Sequence, residues 1–551
     1  MLFFAQNRTS HTPCGSSKMN KKVEIPAVAL GATTIFLTWI LGPLLSGGHD
    51  AIYRWNGSAS TLFVPAALDF SLFWLVLTCF LLIACKRGRL RVAIWSGILL
   101  FTPWIEIKNW SSLSGNTPSP ALTRTLLGAA ILGLALLVLL WRPSFEIWFE
   151  RIVHFASVLL VFAAVLGVFF LVELGWFGWQ ARALDVRRTI DDSEIRHSHS
   201  VAQSGAARLP KVVWIIFDEL SYRQVYEHRF PGVKLPAFDR IGKQSSVFTD
   251  VIPAGLSTAQ VIPTLMTGVL LDKIRSSPDG QLSVHHQASG EWKRFNEHDT
   301  VFQDAIYDGY GTAVAGWYNP YCRILPEVLD QCFWTYNRAA PNGILPNRTA
   351  FANLLGPLHY ATEAGRTKEE LTAGYDISDY REILNAADRM LGDPSMSLVL
   401  IHLPVPHPPG KYNRHTNQFT TTNSTYIDNL ALADECLDHI QSELEQSGHW
   451  DSSSVLIMGD HSWRTILEHS LTKEELEASD GGHFDTRPFY LVKLPYQVTG
   501  ITIDTPFATV NTRRLLDRLL THSLSSPEDL HNWTQHLQPA KIGEYQGTVL
   551  P

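Results

Sequence analysis

The sequence predicts an N-terminal bundle of transmembrane α-helices followed by an α/β domain with a central, mostly parallel sheet. Three observations carry this prediction. Long apolar runs fill the first third of the 551 residues, shorter apolar runs starting at Val212 each stop at an acid or a histidine, and helix-periodic stretches separate those shorter runs. The composition agrees, because 46% hydrophobic and only 18% charged residues leave the chain lean in charge for a wholly soluble protein. A net charge of -7 with no basic stripe argues against a nucleic-acid partner, whose phosphates would need clustered Lys and Arg.

The apolar runs near Ala27 to Leu45, Leu62 to Ala84, Val92 to Ile107, Leu126 to Trp141 and Ile152 to Phe170 each approach the roughly 20 residues that span a bilayer as helix. Five crossings are therefore expected, although the Val92 run is short and meets Pro103 and Glu106. Lys18, Lys21 and Lys22 precede the first run, Lys86, Arg87, Arg89 and Arg91 follow the second, and Arg142 and Arg151 separate the last two. Positive charge favours the cytoplasmic side, and an odd number of crossings then puts everything after Trp179 outside it. The residues before Met19 have no apolar stretch of the kind a cleavable signal needs, so the first run is expected to act as an uncleaved signal. The resulting plan is a cytoplasmic tail over 1–23, a five-helix anchor over 24–180, a polar linker over 181–210 and an extracytoplasmic domain over 211–551.

Six scattered cysteines do not make a disulfide framework or a zinc knuckle. Cys322 and Cys332, however, flank a short loop on the side where a bridge can persist, and they are a disulfide candidate.

Within the outer domain, Val212 to Phe217 reads as a buried parallel strand that stops at Asp218 and Glu219. Leu398 to Leu403 ends near His402 and His407, and Val455 to Met458 ends at Gly459, Asp460 and His461. Tyr426 to Leu444 has helical periodicity. In such sheets ligands gather at the carboxyl ends of the strands, where these side chains fall. Carboxylate oxygens with imidazole nitrogens suit zinc or manganese, as one or two ions. Thr258 has a hydroxyl that is a weak nucleophile until a cation or base favours its ionised form. It precedes a stretch expected to open a helix, with Pro263 in its first turn, so backbone N–H groups can help hold an anion there. Each feature also has a bland reading. A strand-end acid or an Asp–His pair is often structural, and Ser257 with Thr258 can simply cap a helix.

Taken in order, these residues resemble the alkaline phosphatase superfamily in its sulfatase-like branch, and within it the membrane-anchored phosphoethanolamine transferases and lipoteichoic acid synthases. The resemblance covers most of Val212 to Pro495. It implies an alkaline-phosphatase/sulfatase-like fold, with Glu219 in IIFDELSYR as the acid ending the first strand and Thr258 in LSTAQVIPTLMTG as the nucleophile. It maps the strand-end histidines onto His402 and His407, the Asp–His metal pair onto Asp460 and His461, and the late histidine onto His483 in GGHFDTRP. Asp218 stands where the transferases usually have Gly and is a candidate extra ligand. Asn319, near Trp317, corresponds loosely to a segment that contacts the donor head group. The disulfide that brackets the transferases' nucleophile is missing, since Ala254 and Thr264 stand there.

A sulfatase needs Cys or Ser in a C/S-x-P-x-R setting that can become an aldehyde hydrate, which Thr258 cannot supply. The expected activity is therefore transfer of a phospho-head group, such as phosphoethanolamine, from a membrane lipid donor to an envelope glycan or lipid acceptor through a phosphothreonine intermediate. Thr258, His402 and His407 are the catalytic candidates, Asp218, Glu219, Asp460, His461 and His483 the metal candidates, and Asn319 and His402 the substrate-binding candidates. The expected setting is the bacterial inner membrane, as a monomer with its catalytic domain facing the periplasm or exterior. Hydrolysis of a phosphate or sulfate ester is the enzymatic alternative. A catalytically inactive envelope scaffold or sensor is the other.

Overall fold

A computed structural model describes residues 21–46, 53–56, 60–84, 88–114, 120–139, 146–187, 194–196, 209–276, 281–338, 350–354, 356, 368–467 and 471–537. Lys18, Lys86, Arg87, Arg142 and most of the expected linker lie outside them. The chain divides into two units, residues 1–46 with 66–175 and residues 47–65 with 176–551.

The first unit is built from helices α1 (Lys21–Ser46), α2 (Ser60–Ala84), α3 (Gly88–Ser114), α4 (Pro120–Leu139) and α5 (Glu146–Arg187), of which α2 and α5 run past its bounds. Among the described residues, four of these have stretches long and apolar enough to cross a membrane: Glu24–Gly42, Thr61–Ala84, Leu90–Ile107 and Glu146–Gln180. The Val92 run, which its proline and acid seemed to weaken, is thus long enough. In helix α4, the fourth of the five expected crossings, the apolar stretch among the described residues is Arg124–Leu136. Apolar side chains such as Leu75, Phe155, Phe162 and Phe169 face outward on these helices, as a lipid environment requires and water would penalise. The amide of Asn109 donates to the Ile35 carbonyl at 3.0 Å and the Trp74 indole to that of Pro26 at 2.9 Å, so these two donors inside the bundle find partners.

The second unit holds a nine-stranded sheet. Its strands are β1 (Glu194–Arg196), β2 (Val212–Phe217), β3 (Ser246–Phe248), β4 (Thr312–Trp317), β5 (Gln331–Thr335), β6 (Leu398–Leu403), β7 (Ser454–Gly459), β8 (Tyr490–Lys493) and β9 (Ile501–Ile503). They lie in the order β1-β5-β4-β6-β2-β7-β8-β3-β9. The five strands from β5 to β7 are parallel, and antiparallel pairing enters at β1 against β5, β8 against β7 and β3 against β8. Every residue of β2, β4, β6 and β7 is buried, which is why these strands read as unbroken apolar runs. Val212, Trp214 and Ile216 pack into one core and Val213, Ile215 and Phe217 into the other, on opposite faces of the sheet.

Within the stretch read as linker, helix α5 continues to Arg187, and β1 pairs with β5 at the sheet edge. Cys322 and Cys332 are disulfide-bonded, with Cα atoms 5.7 Å apart and a sequence separation of 10. Replacing both with serine is expected to lower the stability of this domain by about 2–3 kcal/mol, read as a lower denaturation midpoint under non-reducing conditions. An unchanged midpoint would mean that the neighbouring packing alone holds the loop.

Candidate metal centre and active site

Strand register assembles the site. Phe217 stands opposite Leu403 on one side and Gly459 on the other, so Asp218–Glu219 and Asp460–His461 leave the sheet at one edge, with His402 just inside it. Glu219 turns the chain there with a left-handed φ of 67°. That conformation costs roughly 1–3 kcal/mol in a residue with a side chain. It is offset by two bonds: the Glu219 N–H donates to Asp460 Oδ1 at 3.1 Å, and the Tyr426 hydroxyl donates to the Glu219 carbonyl at 2.8 Å.

Thr258 is the first residue of helix α6 (Thr258–Thr267), and Ser257 holds the N-cap position without a side-chain cap bond. The threonine hydroxyl is therefore not spent on capping. It donates to Asp218 Oδ2 at 3.2 Å and lies 3.4 Å from His461 Nε2. Pro263 stands inside this helix rather than in its first turn, because the helix starts at Thr258 itself. The cap at the far end is Gly268, whose φ of 67° suits a residue lacking Cβ.

Two groups with metal-ligand character meet at this edge, Asp218 with Asp460 and His461, and Asp218 with Glu219 and His407; in each, the ligand atoms lie within 4.8 Å of one another. Asp218 Oδ1, Glu219 Oε2, Asp460 Oδ2 and His402 Nε2 are buried with no hydrogen-bond partner. Burial, helped by the charges of Asp460 and Glu219, pushes the Asp218 carboxyl well above the usual range, and burial also raises Asp460. Burial holds His402 down at about 4 and His461 down at about 3, and burial with the Arg464 and Lys411 charges depresses His407. Crowded acids with unsatisfied oxygens beside neutral imidazoles form a donor set that fits a divalent cation.

The candidates do not all converge. His483 is exposed on the turn after Gly481 and Gly482, its N–H bonded to the Ser479 carbonyl at 2.7 Å, and neither metal-capable group includes it. His407 joins the second group, while His402 lies 3.9 Å from Asp218 Oδ2 and is held by the Tyr321 hydroxyl, 2.8 Å from its Nδ1. Asn319 is buried with its Nδ2 unpartnered. Trp317 packs edge-on to both histidines, with ring centroids 6.3 Å from His402 and 5.5 Å from His407.

Sequence reasoning missed Arg464, although GDHSWR places it three residues past His461. Its Nε donates to Glu219 Oε1 at 2.6 Å, one Nη to the Leu256 carbonyl at 3.0 Å, and the other reaches within 3.5 Å of His407 Nε2. It ties the first strand end, the loop before Thr258 and the histidine loop to one cation. Tyr321 was missed as well, since nothing local links it to His402.

Residues 210–483 match the Sulfatase family model. Solved structures with a similar chain path include Ps i-CgsB in complex with k-i-k-neocarrahexaose, at 14% identity over 58% of this chain and 74% of that one, with a TM-score of 0.38. They also include the phosphonate monoester hydrolase of Agrobacterium radiobacter, at 15% identity over 56% and 74% with a TM-score of 0.35. A third is the lipoteichoic acid synthase LtaP from Listeria monocytogenes, at 12% identity over 56% and 72% with a TM-score of 0.36. A search of curated proteins gives no match. With its acid, threonine and Asp–His pair at one edge of a mostly parallel sheet and a Sulfatase match over 210–483, this chain is an enzyme of the alkaline phosphatase superfamily, in its sulfatase-like branch.

Proposed function

We propose that this membrane protein is a metal-dependent phosphotransferase that moves a phospho-head group, such as phosphoethanolamine, from a membrane lipid to a glycan or lipid of the cell envelope. One observation carries the reading: the Thr258 hydroxyl is 3.2 Å from Asp218 Oδ2, inside the buried acid and histidine cluster. A threonine cannot be converted to the aldehyde hydrate that sulfate-ester cleavage in this branch uses, so its hydroxyl serves as a nucleophile toward phosphorus. Zinc or manganese, held by Asp218, Asp460 and His461 with Glu219 beside them, would supply positive charge for the ionised threonine and the phosphoryl oxygens.

Thr258 Oγ forms a bond to phosphorus as the bond to the lipid oxygen breaks, and the proton lost by Thr258 is available to the departing alcohol. An acceptor hydroxyl then attacks the phosphothreonine and frees Thr258. His402 and His407, both kept neutral by burial, can hold or pass that proton. Asn319 offers an unpartnered donor to the head group. The membrane setting supports a lipid donor, because tethering raises its local concentration at the domain.

An inner-membrane location with the domain on the periplasmic or outer side is part of the same reading. Tyr53 and Trp55, between α1 and α2, are buried in the unit that holds the sheet, which supports a common side for that stretch and the domain. A monomer suffices, since one chain supplies every group in the cluster.

Mass spectrometry of envelope lipids and glycans from cells with and without the protein tests the reading. The expected result is loss of one phospho-head-group mass increment from an acceptor, and incubation of the purified protein with a chelator is expected to abolish transfer until zinc or manganese is restored. Release of free head group with no modified acceptor would turn the assignment to hydrolysis. Absence of bound metal under native conditions would favour a scaffold.

A further inference from the structure

Residues 53–56 lie between the first two apolar helices in sequence, yet they belong to the unit that holds the sheet. Tyr53 is 2% exposed and joins the core that contains Trp214, Tyr321 and Trp334. The Arg323 guanidinium, next to the Cys322–Cys332 disulfide, donates to the carbonyls of both Tyr53 and Trp55 and lies over the Trp334 ring, 4.9 Å from its centroid. Asn56 Nδ2 is 3.5 Å from the Trp334 carbonyl and from Thr335 Oγ1. The backbone on both sides of Arg54 is thus fixed to the domain.

Arg54 itself extends toward the site. Its guanidinium lies 4.2 Å from the centroid of Tyr318, the residue that follows β4 at the carboxyl edge of the sheet with a φ of 69°. The Tyr318 ring is 5.6 Å from Trp317, and the Trp317 ring is 5.5 Å from His407. Arg54 is therefore two aromatic rings from the histidine loop. The Tyr318 hydroxyl, raised chiefly by burial, also feels the charges of Arg54 and Asp218. Arg54 and Tyr318 are both partly exposed.

We propose that Arg54, on the segment between the first two apolar helices in sequence, is a substrate-binding residue of the sheet domain, whose guanidinium donates to an anionic oxygen of the phosphate ester on the Tyr318 side of the metal centre. An arginine fork backed by an aromatic face is suited to a phosphate, which accepts two N–H bonds at once. This deepens the phosphoryl-transfer reading and rests on it for the identity of the ligand.

The test uses the full-length, metal-loaded chain in nanodiscs, with inorganic phosphate as the binding probe and bis(p-nitrophenyl) phosphate as the turnover probe. Arg54→Ala is expected to weaken phosphate binding and raise KM by about tenfold, with kcat within about threefold and an unchanged melting temperature. Arg54→Lys, which keeps the charge, is expected to recover most of the affinity. Unchanged phosphate binding in Arg54→Ala, or no phosphate binding by the natural chain, overturns the proposal. So does a joint fall in kcat and melting temperature with KM untouched, which marks Arg54 as a pin for the loop. Should Arg54→Ala fail to fold, Arg54→Gln keeps the length and stacking, and a KM equal to that of the natural chain then overturns the proposal while a raised KM supports it. Phosphate binding without turnover of the diester counts against the phosphoryl-transfer reading alone, and the titration still decides Arg54.

Discussion

Replacing Thr258 with alanine is expected to lower turnover by about a thousandfold or more, with bound metal and fold retained. The reason is geometric. Thr258 is buried, its hydroxyl faces Asp218 and His461, and it is the first residue of α6. Alanine keeps the helix and backbone N–H groups and removes the attacking oxygen together with the γ-methyl. Single-turnover kinetics with a diester, alongside metal analysis of the same preparation, measures the effect. Serine at this position restores a hydroxyl and is expected to recover part of the rate, with the covalent phosphate found on the serine. Activity close to that of the natural chain in the alanine variant would eliminate the covalent route and leave direct attack by the acceptor.

The largest effect on stability is expected from Lys411→Met. Lys411 is fully buried, and its Nζ lies 3.0 Å from Asp376 Oδ2 and donates to the carbonyls of Pro404 at 2.9 Å and His407 at 2.8 Å. Burial lowers the affinity of this amine for its proton, and the Asp376 charge opposes that effect. Methionine matches the volume and removes the cation. Asp376 then relies on Arg338 alone, 2.5 Å away, the buried Pro404 carbonyl loses its Lys411 donor, and the His407 carbonyl keeps only Asn429 Nδ2 at 3.1 Å. Breaking one side of a buried ion pair costs about 3–5 kcal/mol. A fall in the melting temperature of the outer domain by roughly 5 °C or more is the expected reading. The His407 loop, released at two carbonyls, should lose activity as well. A variant with natural stability would mean that Arg338 and Asp376 satisfy each other without Lys411.

Much of the sheet domain was legible because its central strands are covered on both faces. VVWIIF, LVLIHL and SVLIMG have no polar interruption to confuse the pattern, and their ends are marked by acids and histidines that no core tolerates without a reason. Asp218, Glu219, Asp460, His461 and Thr258 meet as the spacing suggested. What stayed hidden depends on partners distant in sequence. Arg464 is an ordinary surface-type residue until Glu219, 245 positions away, is found against it. Lys411 becomes a buried cation only when Asp376 on the helix Lys368–Gly392 is placed beside it. The edge strand Glu194–Arg196 is only three residues long, and its pairing with Gln331–Phe333, far along the chain, leaves no local signal. His483 looked like its neighbours in the motif order, but the two left-handed glycines before it, with φ of 79° and 94°, carry it to the surface.

The alignment of Phe217 with Leu403 and Gly459 also sets what kinds of sequence change the enzyme can accept. Sliding one of these strands by a single position would reverse which core each of its side chains enters and move its terminal acid about 3.3 Å along the strand axis. Length changes inside the three strands are therefore closed to drift, whereas the segments beyond their ends can grow, shrink or be exchanged around an unchanged cluster. New substrates for this scaffold should accordingly arise by remodelling those segments, with the reaction centre itself held constant.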